Sequence, residues 1–299
     1  MATKERPVIV GVGEVLWDLL PAGPQLGGAP ANFAYHAQAL GARARVVTRV
    51  GNDRLGQEVL QRFDSMHLPI DTVQIDDERP TGTVAVSLSG DGVPQFTIHE
   101  DVAWDRLTVT EQALETVRQA DAVCFGSLAQ RAPASRAAIQ QLVASAPAQA
   151  FRVFDVNLRQ RFYSREVIEQ SLRLANVLKL NNDELPILAE AFGLPGEPRS
   201  QVESLARRFG LKFVVLTLGS KGSLIYRDGG WSEQTAQPTT IVDTVGAGDS
   251  FTAALVMGLL SNMALDEAHA FAAELARYVC SQAGATPALP PKFQKSLTR

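Results

Sequence analysis

The sequence predicts an α/β protein: a doubly wound, mainly parallel sheet flanked by helices, with a small β-sheet lid. The first observation is that short apolar runs alternate with segments of helical spacing through most of the 299 residues. The second is that two segments fall outside this alternation and have the pattern of antiparallel strands. The third is the length, since a chain of roughly 300 residues can bury one large α/β core.

The apolar runs are the expected parallel strands. Each is short, continuous and apolar and ends at Gly, Asn or Asp, which is typical of strands that are buried on both faces. They are Val8–Val12, Ala44–Val50, Ala122–Phe125, Phe151–Asp155, Val177–Leu180 and Phe213–Thr217.

The segments of helical spacing supply the expected helices. Apolar residues recur in them at i, i+3 and i+4, which places one apolar face against the sheet. They are Ala31–Leu40, Leu55–Met66, Glu111–Gln119, Ser135–Ala144, Arg165–Leu174, Asp183–Phe192, Gln201–Phe209, Ser250–Leu260 and Asp266–Gln282.

Two segments predict the lid. Thr83–Ser89 and Gln95–His99 alternate apolar and polar residues on either side of Gly90-Asp91-Gly92-Val93-Pro94, which indicates a β-hairpin. Glu14–Leu20 is a further strand-like piece outside the strand–helix rhythm. We therefore expect a single domain over residues 1–299, with a lid formed by roughly residues 14–27 and 80–101.

Composition excludes several classes of partner. With 28 Lys and Arg against 32 Asp and Glu, the net charge is −4, which argues against nucleic acid as the main partner. No stretch approaches ~20 uninterrupted apolar residues, so no membrane span is expected. Two distant cysteines, Cys124 and Cys280, exclude a disulfide framework, and the first residues lack a secretory pattern. We expect a cytoplasmic protein.

The glycine-rich segment Asp243-Thr244-Val245-Gly246-Ala247-Gly248-Asp249 precedes an apolar helical run. Gly246 and Gly248 allow the backbone to curl tightly at a helix N-terminus, where free N–H groups favour an anion. Asp249 falls in the first turn, where a carboxylate beside a phosphoryl group can accept the proton of a hydroxyl. Asp249 as a simple helix cap is an equally good interpretation of this segment alone.

A second cluster, Gly27-Gly28-Ala29-Pro30-Ala31-Asn32, enters another helix. Its small residues permit close approach of a ligand, and Asn32 offers both a donor and an acceptor to a polyol. An ordinary Gly-Pro turn before a helix explains the cluster at least as well. Asp155-Val156-Asn157-Leu158-Arg159 ends a strand, and Arg159 is a candidate to clamp a phosphoryl group or to be a surface arginine.

Two further segments lie at strand ends, the usual ligand edge of such a sheet. In Lys179-Leu180-Asn181-Asn182-Asp183-Glu184, Asn181 and Glu184 share one helical face and could hold hydrated Mg²⁺, or could simply cap a helix. In Thr217-Leu218-Gly219-Ser220-Lys221-Gly222, glycines and hydroxyls could wrap nucleotide phosphates or ribose, or form a plain hairpin turn.

Other motifs are missing from the sequence. No Gly-x₄-Gly-Lys-Ser/Thr is present, which excludes a P-loop enzyme. Gly11-Val12-Gly13 follows a strand, but Leu16 stands at the third glycine position of a dinucleotide fingerprint. No Gly-x-Ser-x-Gly is present, and the four histidines have no metal-ligand spacing. The sequence therefore lacks the fingerprint of an NAD(P) oxidoreductase.

The order of these clusters resembles the PfkB family of carbohydrate kinases, which have the ribokinase-like fold. The segment from Gly27 through Gly56 resembles the family's N-terminal signature, and Asp243 to Phe251 resembles its C-terminal signature. Asn181-x-x-Glu184 and Thr217-x-Gly219-x-x-Gly222 match its metal and nucleotide elements, and the tail Gly284–Pro290 is also typical. Gly13-Glu14 followed by Asp18, and Asp155-x-Asn157-Leu158-Arg159, are most similar to fructokinases.

The resemblance implies an ATP-dependent sugar kinase that phosphorylates a primary hydroxyl of a ketose such as fructose. It implies that Asp249 is the catalytic base and that backbone amides of Gly246, Ala247 and Gly248 form an anion hole. The remaining residues it implies are Asp18, Gly28, Asn32 and Arg159 for the sugar; Lys179, Asn181, Glu184, Thr217, Gly219 and Gly222 for Mg²⁺–ATP; and Asp243 and Thr244 for a monovalent cation such as K⁺. It also implies a homodimer that pairs through the lid.

Departures from the fructokinase pattern leave the sugar open. This chain has Val156 where fructokinases often have Pro and Trp17 where they often have an aliphatic residue. Its sequence over Phe96–Asp105 also differs from that of the commonest bacterial fructokinases. 2-Keto-3-deoxygluconate, ribose and a nucleoside therefore stay as alternative substrates. A sugar- or nucleotide-sensing protein without catalysis is a further alternative, and the intact Asp249 and its glycines favour the enzyme.

Overall fold

The computed structural model describes residues 6–21, 23–88 and 94–297. Its main sheet has nine strands in the order β13-β12-β11-β10-β9-β8-β1-β4-β5. These strands are β1 (Val8–Val12), β4 (Arg43–Gly51), β5 (Val73–Asp76), β8 (Ala122–Gly126), β9 (Phe151–Asp155), β10 (Val177–Asn181), β11 (Phe213–Thr217), β12 (Ser223–Arg227) and β13 (Gly230–Gln234).

The strand order confirms the doubly wound α/β fold. From β1 the chain winds outward to β4 and β5, then returns to β8 on the other side of β1 and continues to β9, β10 and β11, with all these pairings parallel. At one edge of the sheet, β12 pairs antiparallel with both β11 and β13. Ligands of such sheets bind at the carboxyl ends of the strands, where the winding reverses.

Helices cover both faces of this sheet because its central strands are apolar on both sides; every residue of β8 is buried. The helices are α1 (Ala29–Ala39), α2 (Arg54–Ser65), α3 (Glu111–Arg118), α4 (Pro133–Ala144), α5 (Arg165–Leu174), α6 (Glu184–Phe192), α7 (Pro198–Phe209), α8 (Ala247–Leu260), α9 (Leu265–Cys280) and α10 (Pro291–Leu297). In the described residues no helix is long and apolar enough to cross a membrane.

A separate four-stranded sheet lies beside the main one, in the order β3-β2-β6-β7. Its strands are β2 (Leu16–Leu20), β3 (Gly23–Gly27), β6 (Thr83–Leu88) and β7 (Pro94–Ile98), and β6 pairs antiparallel with β7. Residues 89–93, which include most of the expected hairpin turn, are outside the described part of the chain. Trp17 of β2 anchors this sheet by donating its indole N–H to the Leu55 carbonyl at 3.1 Å.

Five elements were not among the predicted strands and helices: β3, β5, β12, β13 and α10. Several helices also begin earlier than expected. β3, β5 and α10 are short, and β3 reads Gly-Pro-Gln-Leu-Gly, which has no apolar alternation to mark it as a strand. α1 begins at Ala29 and α7 at Pro198, because a proline in the first turn is compatible with a helix and has no N–H to satisfy.

Candidate active site

Asp249 is the third residue of α8, whose N-cap is Gly246. Asp249 is therefore not the N-cap residue, and no side-chain cap hydrogen bond is formed at this end of α8 within the described residues. The first turn of any helix leaves backbone N–H groups without partners inside the helix. In α8 this turn consists of Ala247, Gly248 and Asp249, so these amides and the Asp249 carboxylate lie next to each other.

Gly246 has a backbone conformation that favours glycine. Its φ is +77°, and a Cβ at this position would stand 2.5 Å from the Ala285 carbonyl oxygen. Both the left-handed backbone and the close approach of another chain segment exclude a larger side chain.

We expect Gly246→Ala to move the first turn of α8 and to lower kcat by about one to two orders of magnitude, since small displacements of reacting groups are costly. Gly284→Ala is the matched control, because Gly284 also has a positive φ (+75°) but has open space around its missing Cβ. Comparing the kcat of the two variants checks the prediction. It would be contradicted if Gly246→Ala retained the kcat of Gly284→Ala.

Asn32 joins α1 to the first turn of α8. Its Nδ2 donates to Asp249 Oδ2 at 2.8 Å, and the side chain of Asn32 is buried. α1 can lie this close to the sheet because Gly11 of β1 has no side chain; a Cβ there would stand 2.1 Å from the Pro30 carbonyl oxygen. Two segments that are 217 residues apart in sequence thus meet at one carboxylate.

Lys179 is the buried cation of the site. It is 7% exposed and its Nζ lies 3.0 Å from Oδ1 of Asp155, which is 3% exposed. A Cβ on Gly248 would stand 3.0 Å from the same Nζ, so the ammonium group lies against the first turn of α8. Burial lowers the pKa of Lys179, but Asp155, Glu184 and Asp249 raise it further, and the group stays charged.

The pKa of Asp249 is close to the value that suits a general base. Desolvation and the nearby Asp155 raise its pKa, while Lys179, the Asn32 hydrogen bond and Arg159 lower it, and the pKa stands at about 6. A base is most effective when its pKa lies near the working pH. The carboxylate is therefore ionised at neutral pH and still able to take up a proton.

Three carboxyl groups, those of Glu14, Asp18 and Asp249, interact electrostatically with one arginine. Burial raises the pKa of each, and the exposed Arg159 opposes that shift. Asp18 of β2 has its carboxylate beside Gly27: a Cβ there would stand 2.9 Å from Asp18 Oδ2. This region therefore offers several hydrogen-bond acceptors and one guanidinium group, which suits a polyhydroxylated ligand.

Gly28 forms the wall of this region next to Glu14. Its φ is +116°, and a Cβ there would stand 2.5 Å from the Glu14 carbonyl oxygen. The Gly28 carbonyl accepts the Asn32 N–H at 3.0 Å, so the glycine pair leads directly into the first turn of α1. This close packing requires a glycine at position 28.

Asn181 and Glu184 cap the start of α6 reciprocally. Asn181 Oδ1 accepts the N–H groups of Asp183 and Glu184 at 2.8 and 2.9 Å, and Glu184 Oε2 accepts the N–H of Asn181 at 2.8 Å. Glu184 Oε1 accepts the N–H of Leu158 at 2.9 Å. The structure thus shows the capping interpretation directly. Both lone pairs of Asn181 Oδ1 are used in it, whereas each Glu184 oxygen keeps one lone pair for a water molecule.

These residues fit a hydrated metal ion better than a directly coordinated one. Over the described ranges, no group of three or more His, Cys, Asp or Glu side chains is placed to hold a metal. Mg²⁺ commonly keeps several waters and takes its other ligands from substrate phosphates. The two Glu184 oxygens are compatible with that arrangement, and Asn181 holds the Glu184 backbone in place beside them.

The predicted nucleotide segment Thr217–Gly222 lies at the end of β11. Thr217 ends β11 opposite Asn181 of β10, and Gly219 and Gly222 form the turn into β12. Gly222 is required there by packing, since a Cβ would stand 2.0 Å from the Gln234 carbonyl oxygen. The plain hairpin turn is thus present, and its position beside Asn181 extends the polar edge of the sheet.

Asp243 stabilises the loop before α8. Its two carboxylate oxygens accept the N–H groups of Val245 and Gly284 at 3.0 and 3.1 Å, while Thr244 is exposed. The Thr244 carbonyl accepts the Ala247 N–H at 3.3 Å. The polar groups of Asp243 are therefore already paired with the backbone.

The sequence motifs contained Glu14 and Asp155 but did not identify them as site residues. Glu14 is 1% exposed, its Oε2 has no hydrogen-bond partner in the part of the chain that the structure describes, and burial raises its pKa to about 7. Asp155 carries the ion pair with Lys179. A carboxylate at the end of a buried strand is the signal that could have identified Asp155, because charged residues are rarely buried without a partner.

One protein family matches most of the chain. Residues 24–292 match the family described as pfkB family carbohydrate kinase. The sugar kinase PH1459 of Pyrococcus horikoshii is 28% identical over 87% of this chain and 84% of its own length. A fructokinase of Salmonella typhimurium is 28% identical over 96% of this chain and 97% of its own.

Solved structures show the same fold. PH1459 in complex with ATP superposes with a TM-score of 0.77 at 25% identity, over 97% of this chain and 99% of that one. The fructokinase from Vibrio cholerae O395, in its fructose-, ADP- and calcium-bound form, has a TM-score of 0.80 at 24% identity, over 97% and 98%.

Proposed function

The chain belongs to the pfkB family of carbohydrate kinases, and from this premise we propose that it transfers the γ-phosphate of ATP to a primary hydroxyl of a ketose such as fructose. The observation that carries the proposal is the Asp249 carboxylate in the first turn of α8, with Lys179 against the same turn. A base, the backbone amides of a helix N-terminus and a buried cation together suit phosphoryl transfer.

In this proposal Asp249 accepts the proton of the reacting hydroxyl as the oxygen attacks the γ-phosphorus. The backbone amides of Gly246, Ala247 and Gly248 and the Lys179 ammonium stabilise the negative charge that develops on the phosphoryl oxygens. Asn32 orients the Asp249 carboxylate through its 2.8 Å hydrogen bond. Most of the rate then comes from positioning and from charge stabilisation.

The sugar lies, in this proposal, between Asp249 and the acidic groups around Arg159. Asp18 and Asn32 hydrogen-bond to its hydroxyls, Gly28 permits its close approach, and Arg159 contacts the sugar or the transferred phosphate. The sheet of β2, β3, β6 and β7 acts as a lid that excludes water and so limits hydrolysis of ATP. Asp18 already lies on that sheet.

ATP lies along the ends of β10 and β11, where Lys179, Thr217, Gly219 and Gly222 are its proposed contacts. Mg²⁺ would be held through water by Asn181 and Glu184 and would supply charge neutralisation of the phosphates when bound. We place a K⁺ ion at the Asp243–Thr244 loop, where backbone carbonyls would be its ligands because both Asp243 oxygens bind amides.

The choice of a ketose is supported by the fructokinase names of several relatives. A coupled ADP-release assay over fructose, 2-keto-3-deoxygluconate, ribose and a nucleoside tests it. We expect the highest kcat/KM with the ketose. A higher kcat/KM with one of the other three would make that compound the proposed substrate in place of fructose. If ADP release did not depend on any sugar, the proposed kinase activity would be overturned.

The pH profile of kcat/KM tests Asp249 as the base. Its pKa is raised to about 6, and a base works only when it is deprotonated, so activity is present above this pKa and falls as the pH drops through it. Asn32→Leu removes a hydrogen bond that lowers the pKa of Asp249, so the acidic limb of the profile should move to higher pH.

Gln38→Leu is the control for Asn32→Leu, because Gln38 lies on the same helix. Its side-chain oxygen accepts a hydrogen bond from the Ala44 N–H, which is not part of the site. We expect its acidic limb to coincide with that of the wild type. An acidic limb that stays in place in Asn32→Leu would contradict the assignment of that limb to Asp249.

A further inference from the structure

His36 links the helix that carries Asn32 to the turn that begins α8. It lies one helical turn after Asn32 on α1 and is fully buried. Its Nε2 lies 2.9 Å from the Ala285 carbonyl oxygen, 249 residues away in sequence. Because a carbonyl oxygen can only accept, Nε2 must carry the proton, and the imidazole is the neutral Nε2–H tautomer.

The Ala285 carbonyl is in direct contact with the phosphate-binding turn proposed above. The oxygen that accepts from His36 is the atom that a Cβ on Gly246 would approach to 2.5 Å, and Ala285 Cα would be 2.7 Å from the same point. Gly246 is the N-cap of α8, and its left-handed conformation sets the direction in which the following amides point. The position of this carbonyl therefore fixes the position of Gly246.

Neighbouring contacts support the same segment. Tyr35 donates its hydroxyl to the Pro287 carbonyl at 3.0 Å, and the Gly284 N–H donates to Asp243 at 3.1 Å. Residues 284–287 are thus held by α1 on one side and by the loop before α8 on the other. Within this set, the His36 bond is the one that reaches the residue in contact with Gly246.

Packing alone does not explain a histidine at this position. His36 Nδ1 is buried and has no hydrogen-bond partner among the described residues, which is unfavourable for a polar group. An apolar side chain of similar volume would avoid that cost. What the histidine adds is the hydrogen bond to Ala285. Burial lowers its pKa to about 4, so the imidazole stays neutral at physiological pH.

We propose that His36 is a positioning residue for the turn Gly246–Gly248 and acts through the carbonyl of Ala285. α1 then holds both halves of the site, Asp249 through Asn32 and the phosphate-binding amides through His36. The role in turnover rests on the proposed kinase function, whereas the role in ordering the turn does not.

Two nearly isosteric variants separate the hydrogen bond from packing. His36→Gln keeps a side-chain N–H at the position of Nε2, whereas His36→Met fills the space without a donor. His269→Met is the matched control, since His269 is equally buried and its hydrogen bonds to Ser223 and Ser232 join α9 to β12 and β13. His36→Leu replaces His36→Met if the latter does not fold.

The readouts are kcat, sugar KM and amide hydrogen exchange of residues 243–250. We expect His36→Met to lower kcat by about tenfold or more, because misplaced amides lose transition-state stabilisation. Its sugar KM should change little, and its amides should exchange faster over 243–250. His36→Gln should restore both kcat and slow exchange, and His269→Met should leave both as in the wild type.

Wild-type exchange of these amides in His36→Met would overturn the inference, as would an equal loss of kcat in His36→Gln and His36→Met. If the wild type phosphorylates no sugar, the proposed function fails, and the exchange measurement still decides the role of His36.

Discussion

Asp249→Asn is expected to lower kcat by about 10²–10⁴-fold while leaving the fold intact, because it removes the base and keeps the shape of the side chain. The pKa of Asp249 is raised in the folded protein, so its ionised form is disfavoured there. Replacing it with a neutral amide should therefore not lower the free energy of unfolding at pH 8. Steady-state kinetics and urea unfolding measure the two effects.

Asp266→Asn is the matched control for this prediction. Asp266 also lies in the first turn of a helix, α9, but it accepts a hydrogen bond from Ser232 away from the site. We expect its kcat to equal that of the wild type. Near-normal turnover by Asp249→Asn, or an equal loss in Asp266→Asn, would contradict the role of Asp249 as the base.

Lys179→Met is expected to destabilise the protein by about 3–5 kcal/mol, because it leaves the buried Asp155 carboxylate without its partner. It should also lower kcat, since the Lys179 ammonium group lies against the first turn of α8. Urea unfolding measures the first effect. Adding Asp155→Leu removes the unpaired charge, so the double variant should be more stable than the sum of the two single changes implies.

An exposed ion pair provides the comparison. Arg199 and Glu233 are 47% and 60% exposed, and breaking this pair with Arg199→Met should cost less than about 1 kcal/mol. Purely additive effects of Lys179→Met and Asp155→Leu would contradict the importance of the buried pair. A stability loss in Lys179→Met as small as that in Arg199→Met would do the same.

The fold could be predicted from the sequence because its strongest signals are local. Short, continuous apolar runs such as Ala122–Phe125 favour buried strands, and their alternation with helical segments implies parallel pairing. The glycines at 27–28 and 246–248 could be identified as sites of close approach for the same reason. Short elements such as β3 and α10 carry too few residues for a periodic signal.

The pairings within the site could not be predicted, because they join distant parts of the chain. The Lys179–Asp155 ion pair spans 24 residues and the His36–Ala285 bond spans 249. Nothing in the neighbourhood of either residue indicates its partner. Similarly, the sequence alone left capping and metal binding as equal interpretations of Asn181 and Glu184, and only the hydrogen-bond geometry shows that both side chains cap α6.

The most direct test of the central claim is to identify the product formed from ATP and the preferred sugar by ³¹P and ¹H NMR. The proposal predicts one ADP for each sugar monophosphate, with the phosphorus coupled to the two protons of a CH₂ group, as a primary ester requires. A phosphate ester on a secondary carbon, or release of inorganic phosphate without a sugar phosphate, would contradict it.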